Sequence, residues 1–428
     1  MTPATDDEGS GSGRDVVLVT VDCWRTDALQ EMPRLRARLD GDGFVRASAV
    51  CAAPATRGAF AALFGGRYYP HVYAGFDEVR DDVTTLPAAL SAAGYATGGF
   101  VGSNPFLNAW KTDFDVFWND RLDEPAPSTG RERVRQVVTD VRHAANYLRL
   151  RGHVPAARVG ARASDWYRRA SRPRFLWMHL MDAHAPYFPG IRRALGIGPL
   201  AVYRSHWQLN RDPYGLSRAD RRTLRECYRR SVASLDAQLD RVLGFLDDEA
   251  VVVVTGDHGE EFDHGGFGHA RLYDEVVRVP LLVRGVPHVA DGDVVRQLDL
   301  GATALDALSV PVPDGWAGRP HDGEVRDAFM LNHSPRFGTT YAALRTEDAK
   351  LIRSTDNDTG EVVNRECFDL VADPAETVDV SPDGDADELA DRLDQFLDGD
   401  GVLEGIREHE RTDTTAAVED RLKALGYQ

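Results

Sequence analysis

The stretch Val251–His269, VVVVTGDHGEEFDHGGFGH, sets four consecutive valines directly before a loop of acids, histidines and glycines. Four β-branched apolar residues in a row suit a central strand covered on both faces, because a half-exposed strand alternates apolar with polar. In open α/β sheets the chemistry sits beyond the carboxyl ends of such strands. Asp257 and His258 emerge at that position. A carboxylate beside an imidazole suits a manganese- or zinc-type cation better than calcium, which takes an all-oxygen cage. Taken alone, the same residues also describe a solvated acidic loop, so the other stretches decide.

Asp15–Asp22 (DVVLVTVD) repeats the form, a β-branched apolar run that ends on an acid. Asp22 is thus a candidate partner for Asp257 and His258, although an acid at a strand end also serves as a turn residue or helix cap. Ala47–Pro70 (ASAVCAAPATRGAFAALFGGRYYP) runs from a loop of small residues into a short helical stretch, Ala59–Phe64, closed by Gly65 and Gly66. A hydroxyl at the mouth of such a helix meets exposed N–H groups and the positive end of the dipole, where a nucleophile facing an anionic ester belongs. Thr56 stands there and Arg57 follows it. Threonine is equally common as an N-cap.

The chain has 428 residues, 43% hydrophobic and 28% charged, which suits a globular protein with a large core. No apolar run approaches the roughly 18–20 residues of a membrane span. MTPATDDEGSGSGRD lacks the basic and apolar regions of a secretion signal, so residues 1–14 are expected to be a disordered leader on a cytoplasmic protein. A formal charge of −18 argues against nucleic acid or an anionic membrane as partner. Lys111, Lys350 and Lys423 are the only lysines among 50 basic residues, and acidic excess with so little lysine fits a halophilic, salty cytoplasm. The cysteines at 23, 51, 227 and 367 form no disulfide-framework or zinc-ribbon pattern. Val134–Leu150, Arg221–Asp247 and the acidic segment from about Asp385 onward carry apolar residues at helical spacing.

Five segments together resemble the sulfatase family of the alkaline-phosphatase superfamily. VLVTVDCWRTD resembles its first strand and first metal-binding acid, and TRGAFAALFGGRYYP its nucleophile segment. YATGGFVGSN (Tyr95–Asn104) is similar to the next strand and loop. FLWMHLMDAHAPYFP (Phe175–Pro189) resembles a His-x-x-Asp-x-His-x-Pro-Tyr signature, and TGDHGEEFDHGGFGHARLYDEVVRVPLLV the second metal segment. ALRTEDAKLIR, CFDLVADPAETVDV and the closing RLKALGYQ are similar to the C-terminal part. The order is that of the family and the coverage is nearly full length.

The resemblance implies an α/β/α sandwich with a mixed central sheet at about residues 15–325. A smaller C-terminal subdomain of antiparallel strands with a helical tail follows, at 326–428. It implies one divalent metal ion held by Asp22, Asp257 and His258 and bridged by Thr56 as nucleophile. His184 contacts substrate oxygens or protonates the leaving group. Arg57, Asn104, His264 and His269 are the candidate substrate contacts, with His264 and His269 also able to supply a ligand or a proton. His179 is expected to be structural and to point away from the site, and His333 to sit in a surface loop. Cys23 after Asp22, where many members carry a second acid, implies a leaner metal site. Threonine cannot become the formylglycine of sulfate-ester hydrolases, which favours a phosphate monoester, phosphodiester or phosphonate, from a small molecule or glycan, over a sulfate ester. A formylglycine enzyme using Cys51, a group transferase and a non-catalytic carbohydrate-binding protein remain as alternatives.

Overall fold

The computed structural model describes residues 13–75, 78–120, 153–334, 337–381, 385–399, 402 and 404–406. Most of the leader, the Val134–Leu150 segment and the final RLKALGYQ lie outside the described residues. In chain order the strands are β1 (Val16–Val21), β2 (Val45–Val50), β3 (Tyr73–Gly75), β4 (Glu78–Val79), β5 (Ala96–Val101), β6 (Val116–Asn119) and β7 (Arg174–Leu180). After them come β8 (Val251–Gly256), β9 (Arg278–Arg284), β10 (Val294–Arg296), β11 (Ala328–Ser334), β12 (Thr339–Arg345), β13 (Ala349–Asp356) and β14 (Val362–Asp369).

Eight strands form the central sheet in the order β10-β2-β9-β8-β1-β7-β5-β6. β1 runs parallel to both β7 and β8, whereas β9 runs antiparallel to β8 and β2, so the sheet is mixed. Both faces are covered, and the valine runs show how. Val251 and Val253 pack into one buried cluster while Val252 and Val254 pack into the other; Val16 and Leu18 divide from Val17, Val19 and Val21 in the same way. Period-two alternation therefore sends every second side chain of β1 and β8 to a common face. The first face carries the helix Thr56–Gly65 through Phe60 and Phe64. The second carries the helices Ala156–Arg169 and Arg218–Leu243, the latter realising the amphipathic pattern read over Arg221–Asp247. This is the α/β/α architecture that the sequence implies.

β11–β14 make a separate antiparallel sheet covered by the helix Asp385–Asp398 through Leu389, Leu393 and Leu397. Ala328, Met330, Ala343, Ile352 and Phe368 of this sheet belong to the cluster around Phe60 and Phe64. None of the described helices is long and apolar enough to cross a membrane.

A partly buried ionic network fixes the loop after β8. Arg25 pairs with Asp27, Asp263 and Glu275, while Glu275 also accepts from the backbone N–H of Phe262, Asp263 and His264. His264 Nδ1 lies 2.6 Å from Glu275 Oε1, and its Nε2 lies 3.1 Å from the carbonyls of Ala375 and Glu376. With acceptors on both sides the ring is held as imidazolium, stacked 3.8 Å over Tyr273. The network thereby ties the loop to the C-terminal subdomain.

Burial pushes the Glu275 carboxyl up, but the hydrogen bond from His264 and the charge of Arg25 outweigh it and hold the group at about 2. A depressed carboxyl contributes stability above its unfolded value near 4.5 that is lost as pH falls toward 2. Burial lowers His264, yet Glu275 raises it on balance, so its contribution is complete below 6.5 and disappears as pH climbs through the raised value. Thermal melts across pH should show a maximum between these windows. Glu275→Gln should cost about 3 kcal/mol near pH 6 by removing the buried charge that pairs with Arg25 and His264 and should flatten the acid limb; an unchanged acid limb would contradict this assignment.

Candidate active site

The register of the sheet brings three strand ends together. Val21 of β1 lies opposite Leu180 of β7 and Gly256 of β8, so Asp22 and Asp257 leave the sheet side by side. Their backbones are pinned there, Asp22 N donating to Leu180 O at 2.9 Å and Asp257 N to Val21 O at 3.3 Å. Alternation continues past the strands. Asp22 follows Val16, Leu18 and Thr20, and Asp257 follows Val251, Val253 and Thr255, so both carboxylates face the helix Thr56–Gly65.

That helix starts at Thr56 itself, with Ala55 at the cap position and no side-chain cap. The hydroxyl is thus not used for capping. It points to Asp22, Oγ1 to Oδ2 3.4 Å. Asn104 joins the pair, its amide Nδ2 lying 3.2 Å from Asp22 Oδ2 and 3.5 Å from Thr56 Oγ1. At the other end Gly66 closes the helix with φ 60°, and a Cβ there would lie 2.1 Å from the Trp316 ring. Glycine is required on both counts.

His179 corrects the expectation that it points away. It follows Phe175 and Trp177 on the face of β7 that packs on Phe60, and its Nε2 lies 3.4 Å from Asp22 Oδ2. Parity along the strand decides the face. A legible signal did exist, an imidazole one residue before the end of an otherwise apolar strand.

Second contacts fix how both imidazoles present themselves. His179 Nδ1 is 2.9 Å from Thr20 Oγ1, and Thr20 in turn donates to Met178 O at 3.3 Å. His258 Nδ1 is 3.0 Å from the Gly259 carbonyl, which can only accept. In each ring Nδ1 is then the donor and Nε2 the bare acceptor. Yet His258 Nε2 faces Asp22 Oδ1 at 3.6 Å and Asp257 Oδ2 at 3.7 Å. Asp22 Oδ1, Asp257 Oδ2, His179 Nε2 and His258 Nε2 are all fully buried, and none has a hydrogen-bond partner. Buried acceptors crowded together without a donor are the arrangement a cation completes. Asp22, His179 and Asp257 place one donor atom each within 4.8 Å of one another. The mixed nitrogen and oxygen set fits manganese or zinc.

Electrostatics carry the same strain. Burial and the charge of Asp22 push the Asp257 carboxyl up to about 8. Two adjacent buried carboxylates cannot both ionise without a positive partner. Burial pushes His258 down as well, which keeps it neutral and fit to ligate.

The remaining candidates divide. His184 and His269 line a cavity of about 310 Å³ beside this cluster, together with Ala55, Glu260, Asn210, Tyr214, Asn332 and Phe337. Their rings stand 6.1 Å apart, and His269 lies 4.3 Å from His258. His269 Nδ1 is 2.9 Å from Pro54 O, and burial together with His258 brings the ring down to about 4. Arg57 is not brought to the cavity; it lies 4.5 Å over Tyr73 and donates to Gly75 O at 2.6 Å. His264 is held in the network described above, and His333 sits in β11 beside Thr340 rather than in a surface loop. Cys51 is fully buried, its thiol pushed well up by that burial, with Gln297 Nε2 3.4 Å from sulfur.

Sequence reasoning missed two supports. Gln297 donates to the Asp257 carbonyl at 2.8 Å, and Tyr228 OH bridges Cys23 O and Arg25 N at 2.9 and 3.0 Å. The latter braces a turn in which Cys23 adopts φ 59°, uncommon for a residue with a side chain.

A family model described as Sulfatase matches residues 14–310. Among curated proteins, N-acetylglucosamine-6-O-sulfatase of Bacteroides thetaiotaomicron is 27% identical over 173 residues, 35% of this chain and 30% of that one. Phosphopentomutase of Symbiobacterium thermophilum is 39% identical over 89 residues, 20% of this chain and 21% of that one. The chain thus spans about a fifth to a third of the length of these curated relatives. A solved structure described as a complex with its substrate D-glucosamine-2-N,6-O-disulfate gives a TM-score of 0.66 at 16% identity, covering 94% of this chain and 100% of that one. The phosphonate monoester hydrolase of Agrobacterium radiobacter gives 0.62 at 18%, covering 92% and 96%. These two likenesses concern the fold. With the family model matched over well more than half of its length, this chain belongs to the sulfatase family.

Proposed function

We propose that the chain is a metal-dependent hydrolase of phosphate or sulfate esters with Thr56 as nucleophile. The observation that carries this reading is the set of four buried, partnerless acceptors on Asp22, His179, Asp257 and His258, the first three residues with donor atoms within 4.8 Å of one another and His258 against both carboxylates, beside a helix-terminal hydroxyl not used for capping. Those four residues would hold one divalent cation, manganese or zinc, which when bound neutralises charge on the ester and makes a hydroxyl usable near neutral pH.

The chain's own groups supply the rest. Thr56 passes its hydroxyl proton to Asp22, its hydrogen-bond acceptor, and Oγ adds to phosphorus or sulfur in line while the ester bond breaks. Asn104, beside both Thr56 and Asp22, is placed to donate to an oxygen of the transferring group. His184 at the cavity wall gives a proton to the departing alcohol, and water then frees the group from Thr56. Phosphorus is favoured, because threonine cannot form formylglycine. The partial match to a phosphopentomutase supports that choice, and the match to a sulfatase keeps sulfate esters in the panel. Tyr214, Phe337, Asn210 and Asn332 suit a ring-bearing leaving group such as a sugar.

Purified protein with manganese, zinc or calcium should turn over at least one nitrophenyl phosphate, phosphodiester, phosphonate or sulfate. Thr56→Ala should lower the rate by about 10,000-fold or more with the melting temperature retained, whereas a variant keeping its rate would remove Thr56 from the chemistry. Manganese at 100 times its dissociation constant should stabilise the protein by about 2.7 kcal/mol. His179→Ala should weaken that binding by about 10- to 100-fold; unchanged affinity would take His179 out of the donor set.

A further inference from the structure

Gly190–Arg211, GIRRALGIGPLAVYRSHWQLNR, contains four arginines and no acidic residue, in a chain whose net charge is −18. It also presents large apolar side chains to solvent. Ile191, Leu195, Leu200 and Trp207 are 49, 68, 85 and 57% exposed. Within the longer helix both features share one face. In the helix Pro199–Arg211, Leu200, Arg204, Trp207 and Arg211 recur at the three- and four-residue spacing of a single stripe and are exposed, while Val202, Ser205 and His206 are buried behind them. The preceding turn, Ile191–Ala194, adds exposed Ile191, Arg192 and Arg193, and Leu195 follows it. Arg211 lies 5.4 Å over the Trp207 ring, and Arg204 pairs with Asp220 at 2.8 Å.

We infer that this face docks on an anionic lipid surface. An exposed Trp and leucines interleaved with arginines is the chemistry of an interfacial helix, the apolar groups entering the headgroup boundary and the guanidinium groups meeting lipid phosphates. Nucleic acid fits less well, since it has no apolar layer to receive Leu195 and Leu200. A two-fold contact with a second copy would set the four arginines against their own like charges. The acidity of the remaining surface does not oppose docking. Charges further than about 10 Å away are largely screened at 0.1 M salt, so the local patch decides. Leu209, Asn210, Pro213 and Tyr214, at the end of the same segment, line the cavity beside His184. Docking would therefore bring the mouth of the candidate active site to the membrane plane.

The test is co-sedimentation of the full chain with vesicles of phosphatidylcholine alone and of phosphatidylcholine with phosphatidylglycerol. Binding to the anionic vesicles should be at least tenfold stronger and should weaken as salt rises. L200S/W207S, and separately R192Q/R193Q/R204Q/R211Q, should each lose at least tenfold with the melting temperature unchanged. Should either combination melt early, L200S alone is the probe, its side chain being the most exposed. The inference is overturned if wild-type protein binds both vesicles equally or neither, if the variants bind as wild type does, or if sedimentation velocity shows a dimer that L200S/W207S dissociates.

Discussion

Two carboxylates buried side by side at the end of a β-sheet are costly, and the architecture around them follows from that cost. Asp22 and Asp257 are removed from solvent and sit against imidazole nitrogens whose lone pairs face them. Burying each charge costs several kcal/mol unless a partner of opposite sign is supplied. Protonating Asp257 relieves part of this, as its raised value shows, but leaves His179 and His258 with their acceptors unmet. A divalent cation would supply the positive partner that both carboxylates lack. The proposed hydrolase reading rests on that economy of explanation.

The sheet makes such crowding possible. Parallel pairing of β1 with both β7 and β8 brings three carboxyl ends to one line, and β-strand alternation puts Asp22, His179 and Asp257 on the face that receives the Thr56 helix. Phe60 and Phe64 pack on Trp177 with ring centroids 5.1 and 4.8 Å away, so the helix is seated by aromatic contacts and not by the polar groups at its tip. Thr56 is thereby held where its hydroxyl meets Asp22. On the far side the Arg25–Glu275–His264 network and the carbonyls of Ala375 and Glu376 set the loop against the C-terminal sheet. A polar cluster made of acceptors needs this rigid apolar frame, since nothing internal to the cluster holds it together.

Much of the fold was legible because its signals are local. Unbroken valine runs announce strands buried on two faces, and the amphipathic spacing of Arg221–Asp247 announces the helix that covers one of them. The acids at positions 22 and 257 were readable from their place just beyond such runs. His179 was not read correctly, because the face of a residue inside a strand depends on which neighbours cover each side. Arg57 shows the same limit. Sequence adjacency to Thr56 suggested a shared site, whereas the helix turns its guanidinium onto Tyr73. His264 looked like a reactive group among acids, and only tertiary contacts with Glu376, 112 residues away, reveal its structural engagement. Short-range pattern thus identifies strand ends, while side-chain direction is set by packing across distant segments.

The central claim is that Asp22, His179, Asp257 and His258 jointly hold one cation beside Thr56. Crystals grown with manganese and measured at its absorption edge test it most directly. The account predicts a single anomalous peak among Asp22 Oδ1, Asp257 Oδ2, His179 Nε2 and His258 Nε2, at bonding distance from these atoms and next to Thr56 Oγ1. A peak elsewhere with these four side chains left in their present positions, or no peak at saturating manganese, would contradict it.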